Sequence, residues 1–198
     1  MQNSYLIDKF YDQEFEGIYW ELDYTGQPVQ TKKQIYALGF AIYGLSEYNR
    51  ATGDKEALDY AIRLFKAIEQ YSFDPEKNGY MEAFTKDWKL IEDMRLSDKD
   101  ENEKKTMNTH LHILEPYTNL YRVWKDARLE RQLYNLIGLF TEKILDKDNL
   151  NRAFRRVKAN KGAPGIDGMT VEEAGAYLRK TQKELIGRIK RGKYTPTR

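Results

Sequence analysis

The sequence predicts a mainly α protein: an arc of helix pairs with short β hairpins, followed by a basic helical tail. Three observations support this class. Apolar residues recur at helical spacing, one turn motif occurs twice, and the net charge changes sign near residue 146. Residues 1–146 carry 19 basic and 26 acidic side chains, a net charge of −7, whereas residues 147–198 carry 14 and 5, a net charge of +9. We therefore expect an acidic globular part, 1–146, and a basic part, 147–198, suited to an acidic partner.

The repeated motif is a short turn-rich stretch in the acidic part. Its residues Asp12, Glu14 and Gly17 recur at a single offset of 62 as Asp74, Glu76 and Gly79. Each copy precedes a second turn, DYTGQP in the first and TKDWK in the second, which predicts a small β hairpin. The alternative is that any two amphipathic hairpins look alike, and the shared triplet at one spacing argues against it.

Each hairpin leads into two amphipathic helices. In the first copy Gly53 ends one helix and Asp54 caps the next. The predicted buried stripes there are Ile35, Leu38, Ile42 and Leu45, then Ala57, Ala61, Leu64, Phe65 and Ile68. In the second copy they are Leu111, Leu114, Tyr117, Tyr121 and Trp124, then Leu129, Leu133, Leu136, Ile137 and Phe140.

Such a unit cannot bury both of its helix faces alone, so copies must stack, and the natural closure is a toroid of helix pairs. Two units cannot close a toroid. The arc should then expose apolar helix faces, which predicts self-association.

The composition also excludes several classes of protein. No apolar run approaches the length of a membrane span, and MQNSYLIDKF lacks the features of a secretion signal, so we expect a cytoplasmic protein with no membrane partner. The chain has no cysteine and two histidines, which cannot supply a Cys/His zinc cluster, so no metal site is expected.

Both histidines fall on one predicted helix. Asn108, His112, Glu115 and Asn119 recur at i, i+4, i+7 and i+11 and form a polar stripe. His110 points elsewhere, so the two histidines cannot share a metal or pass a proton directly. A polar stripe of this kind is either a solvated face or one wall of a polar cavity suited to a carbohydrate.

The segment from DQEFEGIYWELDYTG through EKKTMNTHLHILEPYTNLYR to FTEKILD resembles the sugar 2-epimerases, specifically the cellobiose 2-epimerases of the N-acylglucosamine 2-epimerase family. The resemblance implies an (α/α)6 barrel that inverts C2 at the reducing end of cellobiose-like disaccharides without a redox cofactor. It implies proton abstraction alpha to the aldehyde and reprotonation on the opposite face, with histidines as acid and base.

By this resemblance, Tyr36 in KKQIYALGF and Asn108 and His112 in KTMNTHLH contact the sugar from the central cavity, which favours the cavity interpretation. Two positions depart from the family pattern: Leu38, where glutamine is expected, and Pro116, where alanine is usual. A proline there leaves the carbonyl of His112 without its usual helical partner.

The resemblance places the family's paired catalytic histidines outside this polypeptide. Epimerisation needs groups on both faces of C2, so we expect an incomplete barrel that is inactive alone.

The sequence of the basic part predicts two helices joined by a glycine-rich loop. The first helix starts at Asn149, the loop is NKGAPGIDG, and a capping box of Thr170 and Glu173 opens the second helix, which runs through Leu178, Leu185 and Ile189. On charge alone this is either a phosphate-backbone binder or a solvated helical hairpin. NRAFRRVKANKGAPGIDGMT resembles the N-terminal segment of group II intron reverse transcriptases and maturases, which implies RNA binding.

The candidate phosphate contacts are Arg155, Arg156, Lys158 and Lys161. The Tyr-Ala-Asp-Asp motif of the polymerase site does not occur in these residues, so DNA synthesis is not expected. The whole chain therefore reads as a junction, near residues 144–148, between a sugar epimerase segment and a maturase segment.

Overall fold

The structure is a computed structural model that describes residues 5–99, 101–159, 168–191 and 193. The chain divides into two compact units, residues 1–137 and residues 138–198. The boundary that the charge pattern places at residue 146 stays a prediction. No helix in the described part of the chain combines the length and the apolar character needed to cross a membrane.

Unit 1 contains two successive sets of short β segments and helices. A π-helical turn at Leu6–Phe10 precedes the first set and a second π-helical turn at Ile68–Ser72 precedes the next. The first set is β1 (Glu21–Leu22), β2 (Pro28–Gln30), β3 (Lys33–Gln34), α1 (Ile35–Thr52) and α2 (Lys55–Ala67). The second set is β4 (Ala83–Phe84), α3 (Met107–Val123) and α4 (Ala127–Ile144), and the boundary between the units falls within α4.

The first helix pair forms where the apolar periodicity predicts it. The stripe of α1 is at most 2% exposed and the stripe of α2 is at most 1% exposed. Gly53 ends α1 in the left-handed conformation at φ +76°, which glycine adopts without steric cost. The carboxylate of Asp54 accepts a hydrogen bond from the backbone N–H of Ala57 at 3.1 Å and caps α2.

The buried face of α3 differs from the predicted stripe. Leu111, predicted to be buried, is 41% exposed. The buried residues are instead Thr109, His110, Ile113, Pro116, Tyr117, Asn119 and Leu120. Polar side chains can lie on this face because partners from other elements satisfy them. Thr109 donates to the carboxylate of Glu82 at 2.5 Å, and Asn119 donates to Ser46 at 2.9 Å.

The stripe predicted for α4 is correct at Leu129 and Leu136, which are fully buried, and wrong at Ile137, which is 51% exposed. An exposed isoleucine beside a buried leucine shows that the apolar stripe on this helix is narrower than its sequence indicates.

The repeated turn has the same backbone hydrogen bonding in both copies. The N–H of Asp12 donates to the carbonyl of Gly17 at 2.9 Å, and the N–H of Asp74 donates to the carbonyl of Gly79 at 2.9 Å. Both glycines have positive φ, +88° and +91°. Each aspartate carboxylate also accepts two backbone N–H groups from the turn that follows it. The motif found in the sequence is therefore a structural repeat.

The two copies stack through a strand pair. β3 pairs antiparallel with β4, with Lys33 opposite Phe84 and Gln34 opposite Ala83. The indole N–H of Trp88, in the second copy, donates to the carbonyl of Phe15 in the first at 2.7 Å. The stacking that the repeat argument requires is thus present, although no local sequence signal predicts the β3–β4 pairing.

Unit 2 contains α5 (Lys147–Ala159) and α6 (Val171–Lys190). α5 begins two residues before the predicted start at Asn149, because the carboxylate of Asp146 accepts the N–H groups of Asp148 and Asn149 at 3.0 Å and caps the helix. The predicted capping box of Thr170 and Glu173 is confirmed at the start of α6.

The two helices of unit 2 approach closely at one point. A Cβ atom on Gly175 of α6 would lie 2.9 Å from the ring of Phe154 on α5. Glycine at this position therefore permits the contact between the helices.

Candidate functional site

A groove of about 530 Å³ lies between α1 and α3 in unit 1. Its lining from α1 is Gly39, Phe40 and Tyr43, and its lining from α3 includes His112, Glu115, Pro116 and Arg122. The groove therefore combines aromatic rings with hydrogen-bonding and charged groups, the combination that small polar ligands use in proteins. Phe40 and Tyr43 are 49% and 47% exposed. The self-association expected of exposed apolar faces stays a prediction.

His112 is held in this groove by two aromatic rings of α1. The ring centroid of Tyr36 lies 4.6 Å from that of the imidazole in an edge-to-face arrangement, and the ring centroid of Phe40 lies 5.2 Å from it. The two rings also contact each other, with 4.8 Å between their centroids. This cluster restricts the rotation of the imidazole, so its position is set before any ligand arrives.

One nitrogen of His112 faces a carboxylate. Nδ1 is buried without a hydrogen-bond partner in the described part of the chain, and the nearest carboxylate oxygen, from Glu115, lies 3.4 Å away. A carboxylate on this side favours the tautomer that carries its proton on Nδ1. In that tautomer Nε2 has a free lone pair and can accept a hydrogen bond or a proton.

The structure brings together two of the three residues predicted to contact a sugar. Tyr36 and His112 are in ring contact. Asn108 is exposed, one helical turn before His112, and does not line the groove. Whether the three bind a sugar stays a prediction.

Asn119, the last member of the predicted polar stripe, has a structural role. It is 5% exposed. Its amide N–H donates to Ser46 at 2.9 Å, and its carbonyl oxygen accepts from Arg122 at 3.3 Å. Asn119 therefore ties α3 to α1 and also lines the groove. Three members of the polar stripe, His112, Glu115 and Asn119, thus face the groove, and Asn108 does not.

His110 is a buried structural residue, consistent with its predicted separation from His112. Its Nδ1 lies 2.5 Å from the carbonyl oxygen of Thr106, and its Nε2 accepts the backbone N–H of Tyr80 at 3.0 Å. Burial lowers the pKa of His110, so the ring is neutral at pH 7. With both nitrogens occupied, His110 has no free group for chemistry.

Several groove residues were not predicted from the sequence, among them Gly39 and Phe40. Phe40 follows Tyr36 by one helical turn, so an aromatic pair at i and i+4 was a readable signal. Gly39 lies in the middle of a helix, where glycine is unfavourable without a reason. The sequence contains both signals, but neither shows which part of the protein Gly39 or Phe40 contacts.

The candidate phosphate contacts of unit 2 do not share one face of α5. Arg155, Arg156 and Lys158 are exposed. By helical periodicity Arg156 lies opposite Phe154, whereas Lys158 lies on nearly the same side as Phe154. Lys161 lies outside the described residues.

Comparison with known proteins relates most of the chain to one family. A family model for N-acylglucosamine 2-epimerase (GlcNAc 2-epimerase) matches residues 3–152. The chain is 78% identical over 144 residues to a cellobiose 2-epimerase of Bacteroides fragilis, an alignment that covers 73% of this chain and 37% of that protein. It is 42% identical over 170 residues to the cellobiose 2-epimerase of Dictyoglomus turgidum, covering 84% of this chain and 42% of the relative.

A solved structure supports the same relationship. The cellobiose 2-epimerase of Bacillus thermoamylovorans B4167 matches with a TM-score of 0.69 and 46% identity, over 73% of this chain and 37% of that one. The chain thus spans about two fifths of the length of the curated relatives described above. The expected likeness to the sugar 2-epimerases and their helical barrel fold is confirmed.

Proposed function

The chain belongs to the N-acylglucosamine 2-epimerase family, and on that premise we propose that residues 1–146 form part of a cellobiose 2-epimerase. In this proposal the groove between α1 and α3 is one wall of the sugar site. Tyr36, Asn108 and His112 provide the contacts to the reducing-end sugar of a disaccharide.

The observation that carries the proposal is the three-ring cluster that His112 forms with Tyr36 and Phe40 at the edge of the groove. A sugar offers hydroxyl groups around its edge and C–H groups on its faces. An imidazole nitrogen and an amide such as that of Asn108 suit the hydroxyls, and exposed aromatic rings suit the faces. The high identity to cellobiose 2-epimerases supports the same substrate class.

The reaction proposed for the complete enzyme is a proton exchange at C2. A base removes the C2 proton from the open-chain sugar, the electrons pass to the C1 carbonyl oxygen, and an enediolate forms. An acid then returns a proton to C2 on the opposite face, and the carbonyl is restored. Atoms and electrons balance without an oxidant or reductant, so the proposal requires no redox cofactor.

We propose that this polypeptide by itself binds the sugar but does not epimerise it. The chain has two histidines, and both nitrogens of His110 are already engaged within the fold. This leaves His112 as the histidine available to a ligand. One group on one face of C2 can remove or orient a proton but cannot also deliver one to the opposite face.

The test measures binding and turnover together. Cellobiose is titrated into the 198-residue chain and into its His112→Ala variant by calorimetry, and C2 inversion is followed by NMR in deuterated water. We expect sugar binding that His112→Ala abolishes, and no deuterium at C2. C2 inversion above the His112→Ala level would refute the proposed inactivity, and binding unaffected by His112→Ala would refute the assignment of the site.

A second candidate function, RNA binding by residues 147–198, is favoured by one observation. Arg152, Arg155 and Arg156 are exposed on α5, and this part of the chain has a net charge of +9. Arginines with this exposure can each neutralise a phosphate. The family match includes residues 147–152 of this part. The maturase resemblance stays a prediction.

RNA affinity measured against salt concentration tests this second function. One variant neutralises the proposed contacts Arg155, Arg156, Lys158 and Lys161. A charge-matched control neutralises Lys180, Lys183, Lys190 and Lys193. If the proposed contacts bind phosphate, the first variant reduces the slope of log affinity against log salt by about 0.7 per lost contact, and the control reduces it less. Equal reductions, or no slope in the unmodified chain, would refute the assignment.

A further inference from the structure

The backbone of His112 is unusual within α3. Pro116 follows it by four residues, so the carbonyl oxygen of His112 receives no hydrogen bond from the N–H that normally completes the helical turn. α3 nevertheless runs unbroken from Met107 to Val123. A helical carbonyl without its usual partner must be accommodated elsewhere in the structure.

The space for this carbonyl lies on the facing helix, at Gly39. A Cβ atom built on Gly39 would overlap the carbonyl oxygen of His112 and lie 3.5 Å from the Cγ of Pro116. The overlap is with backbone, which cannot move aside as a flexible side chain can. The carbonyl thus packs against the bare Cα of Gly39, the kind of close helix approach at which Cα–H···O contacts recur in proteins.

The same helix also holds the side chain of His112. Tyr36 precedes Gly39 by three residues and Phe40 follows it, and both rings contact the imidazole. α1 therefore contacts His112 at two points, its carbonyl at Gly39 and its ring at the adjacent rings of Tyr36 and Phe40.

We infer that Gly39 and Pro116 are positioning residues for His112. Pro116 releases the carbonyl from the helical hydrogen-bond pattern and Gly39 provides the space it occupies, so together they set how closely α3 approaches α1 and how far the imidazole reaches into the groove. Both residues also line the groove, but the positioning inferred for them acts through the backbone of His112 and is therefore detectable without sugar. The importance of this position for sugar binding rests on the proposed function.

Gly39→Ala tests the first half of the inference, with Gly44→Ala as the matched control. Both glycines lie on α1, but a Cβ on Gly44 meets no atom within 4 Å. We expect Gly39→Ala to shift the His112 ring signals in the NMR spectrum, because the ring moves relative to Tyr36 and Phe40, and to weaken cellobiose binding by roughly ten- to a hundredfold. Gly44→Ala should leave both unchanged.

Pro116→Ala tests the second half. Alanine restores the N–H and allows the carbonyl of His112 to return to the helical pattern, away from Gly39. In the double variant Gly39→Ala/Pro116→Ala, the His112 ring signals should then return part of the way to their positions in the unmodified chain. Additive effects of the two substitutions would overturn the coupling. Should Gly39→Ala fail to fold, recovery of folding in the double variant supports the inference, and failure of both overturns it.

The NMR signals are recorded without sugar, which separates this inference from the proposed function. If the His112 signals respond as expected while the unmodified chain binds no cellobiose, the positioning stands and the sugar site is refuted. If cellobiose binds and Gly39→Ala changes neither the signals nor the affinity, the positioning is refuted and the sugar site stands.

Discussion

The repeated turn of unit 1 has the same backbone hydrogen bonding in both copies, and each copy carries an equivalent ion pair in different surroundings. In the first copy the ammonium of Lys33 lies 2.6 Å from the carboxylate of Asp12, and both side chains are fully buried. In the second copy Lys105 lies 2.7 Å from Asp74, and these side chains are 23% and 24% exposed. The two distances are nearly equal, whereas the access of water differs.

The difference follows from stacking. The second copy covers the first, with Trp88 donating to the carbonyl of Phe15, while the ring of Tyr19 lies 4.8 Å from the ammonium of Lys33. In the second copy Lys105 donates also to the carbonyl of Asn78 at 2.8 Å and keeps contact with solvent. The same ion pair therefore lies in the core in the copy that a neighbouring repeat covers, and near the surface in the other copy.

The first prediction is that removing the lysine costs far more unfolding free energy in the first ion pair than in the second. Lys33→Met leaves the Asp12 carboxylate buried without its counterion, which costs about 3–5 kcal/mol of unfolding free energy. Lys105→Met is the matched control, and we expect a much smaller loss because water replaces the lost partner. Urea unfolding of both variants measures the difference. Equal losses would show that burial does not distinguish the pairs.

A second prediction compares the two glycines of the turn. Alanine in the left-handed conformation costs about 1–2 kcal/mol in either copy. Gly79→Ala should cost more than Gly17→Ala, because its Cβ would lie 2.6 Å from Nε2 of His110 and displace the ring that accepts the N–H of Tyr80. At Gly17 the nearest atom, on Trp88, is 3.0 Å away.

Thermal unfolding of the two alanine variants gives the ranking, and the NMR signals of His110 give the cause. A larger loss in Gly17→Ala, or unmoved His110 signals in Gly79→Ala, would contradict the role assigned to the His110 contact.

The third and smallest effect is a loss of stability at acid pH that comes from Asp74 in the second, more exposed copy. The hydrogen bond from Lys105 lowers the pKa of Asp74 to about 2. A folded-state pKa below the unfolded value means that the stabilisation is complete above about pH 4 and is lost as the pH falls through about 2. Asp74→Asn should therefore flatten the acid limb of the stability curve, measured as the urea midpoint against pH.

Salt provides the control for this third prediction. Because the pair is partly exposed, added salt should reduce the difference between Asp74→Asn and the unmodified chain. In the first copy burial raises the pKa of Asp12, but the ammonium of Lys33 and two backbone N–H groups outweigh it and the pKa is lowered. An acid limb unchanged by Asp74→Asn would assign the acid sensitivity to other groups.

The fold was predictable where burial follows local apolar periodicity. α1 and α2 bury the residues that the pattern indicates, with Gly53 and Asp54 marking the boundary between them. α3 buries Thr109 and Asn119 because Glu82 and Ser46, distant in sequence, complete their hydrogen bonds. No periodicity within a helix contains that information, so the predicted stripe was rotated.

The site was predictable only in part for a similar reason. Tyr36 and His112 were identified through family resemblance, and the polar stripe correctly separated His112 from His110. Gly39 was not identified, because its role depends on the carbonyl of a residue on another helix. Proline at position 116 predicted an unpaired carbonyl, but not where that carbonyl would pack.

The pairing of β3 with β4 and the hydrogen bond of Trp88 to Phe15 also bear on how the chain acquires its structure during synthesis. Residues near the amino terminus contact partners some 50 to 70 positions further along the chain. When the first helix pair leaves the ribosome, Lys33 and Asp12 are therefore still exposed to water. Contacts of such long sequence separation are slow to form. The nascent first repeat is therefore a stage at which aggregation or chaperone binding competes with folding.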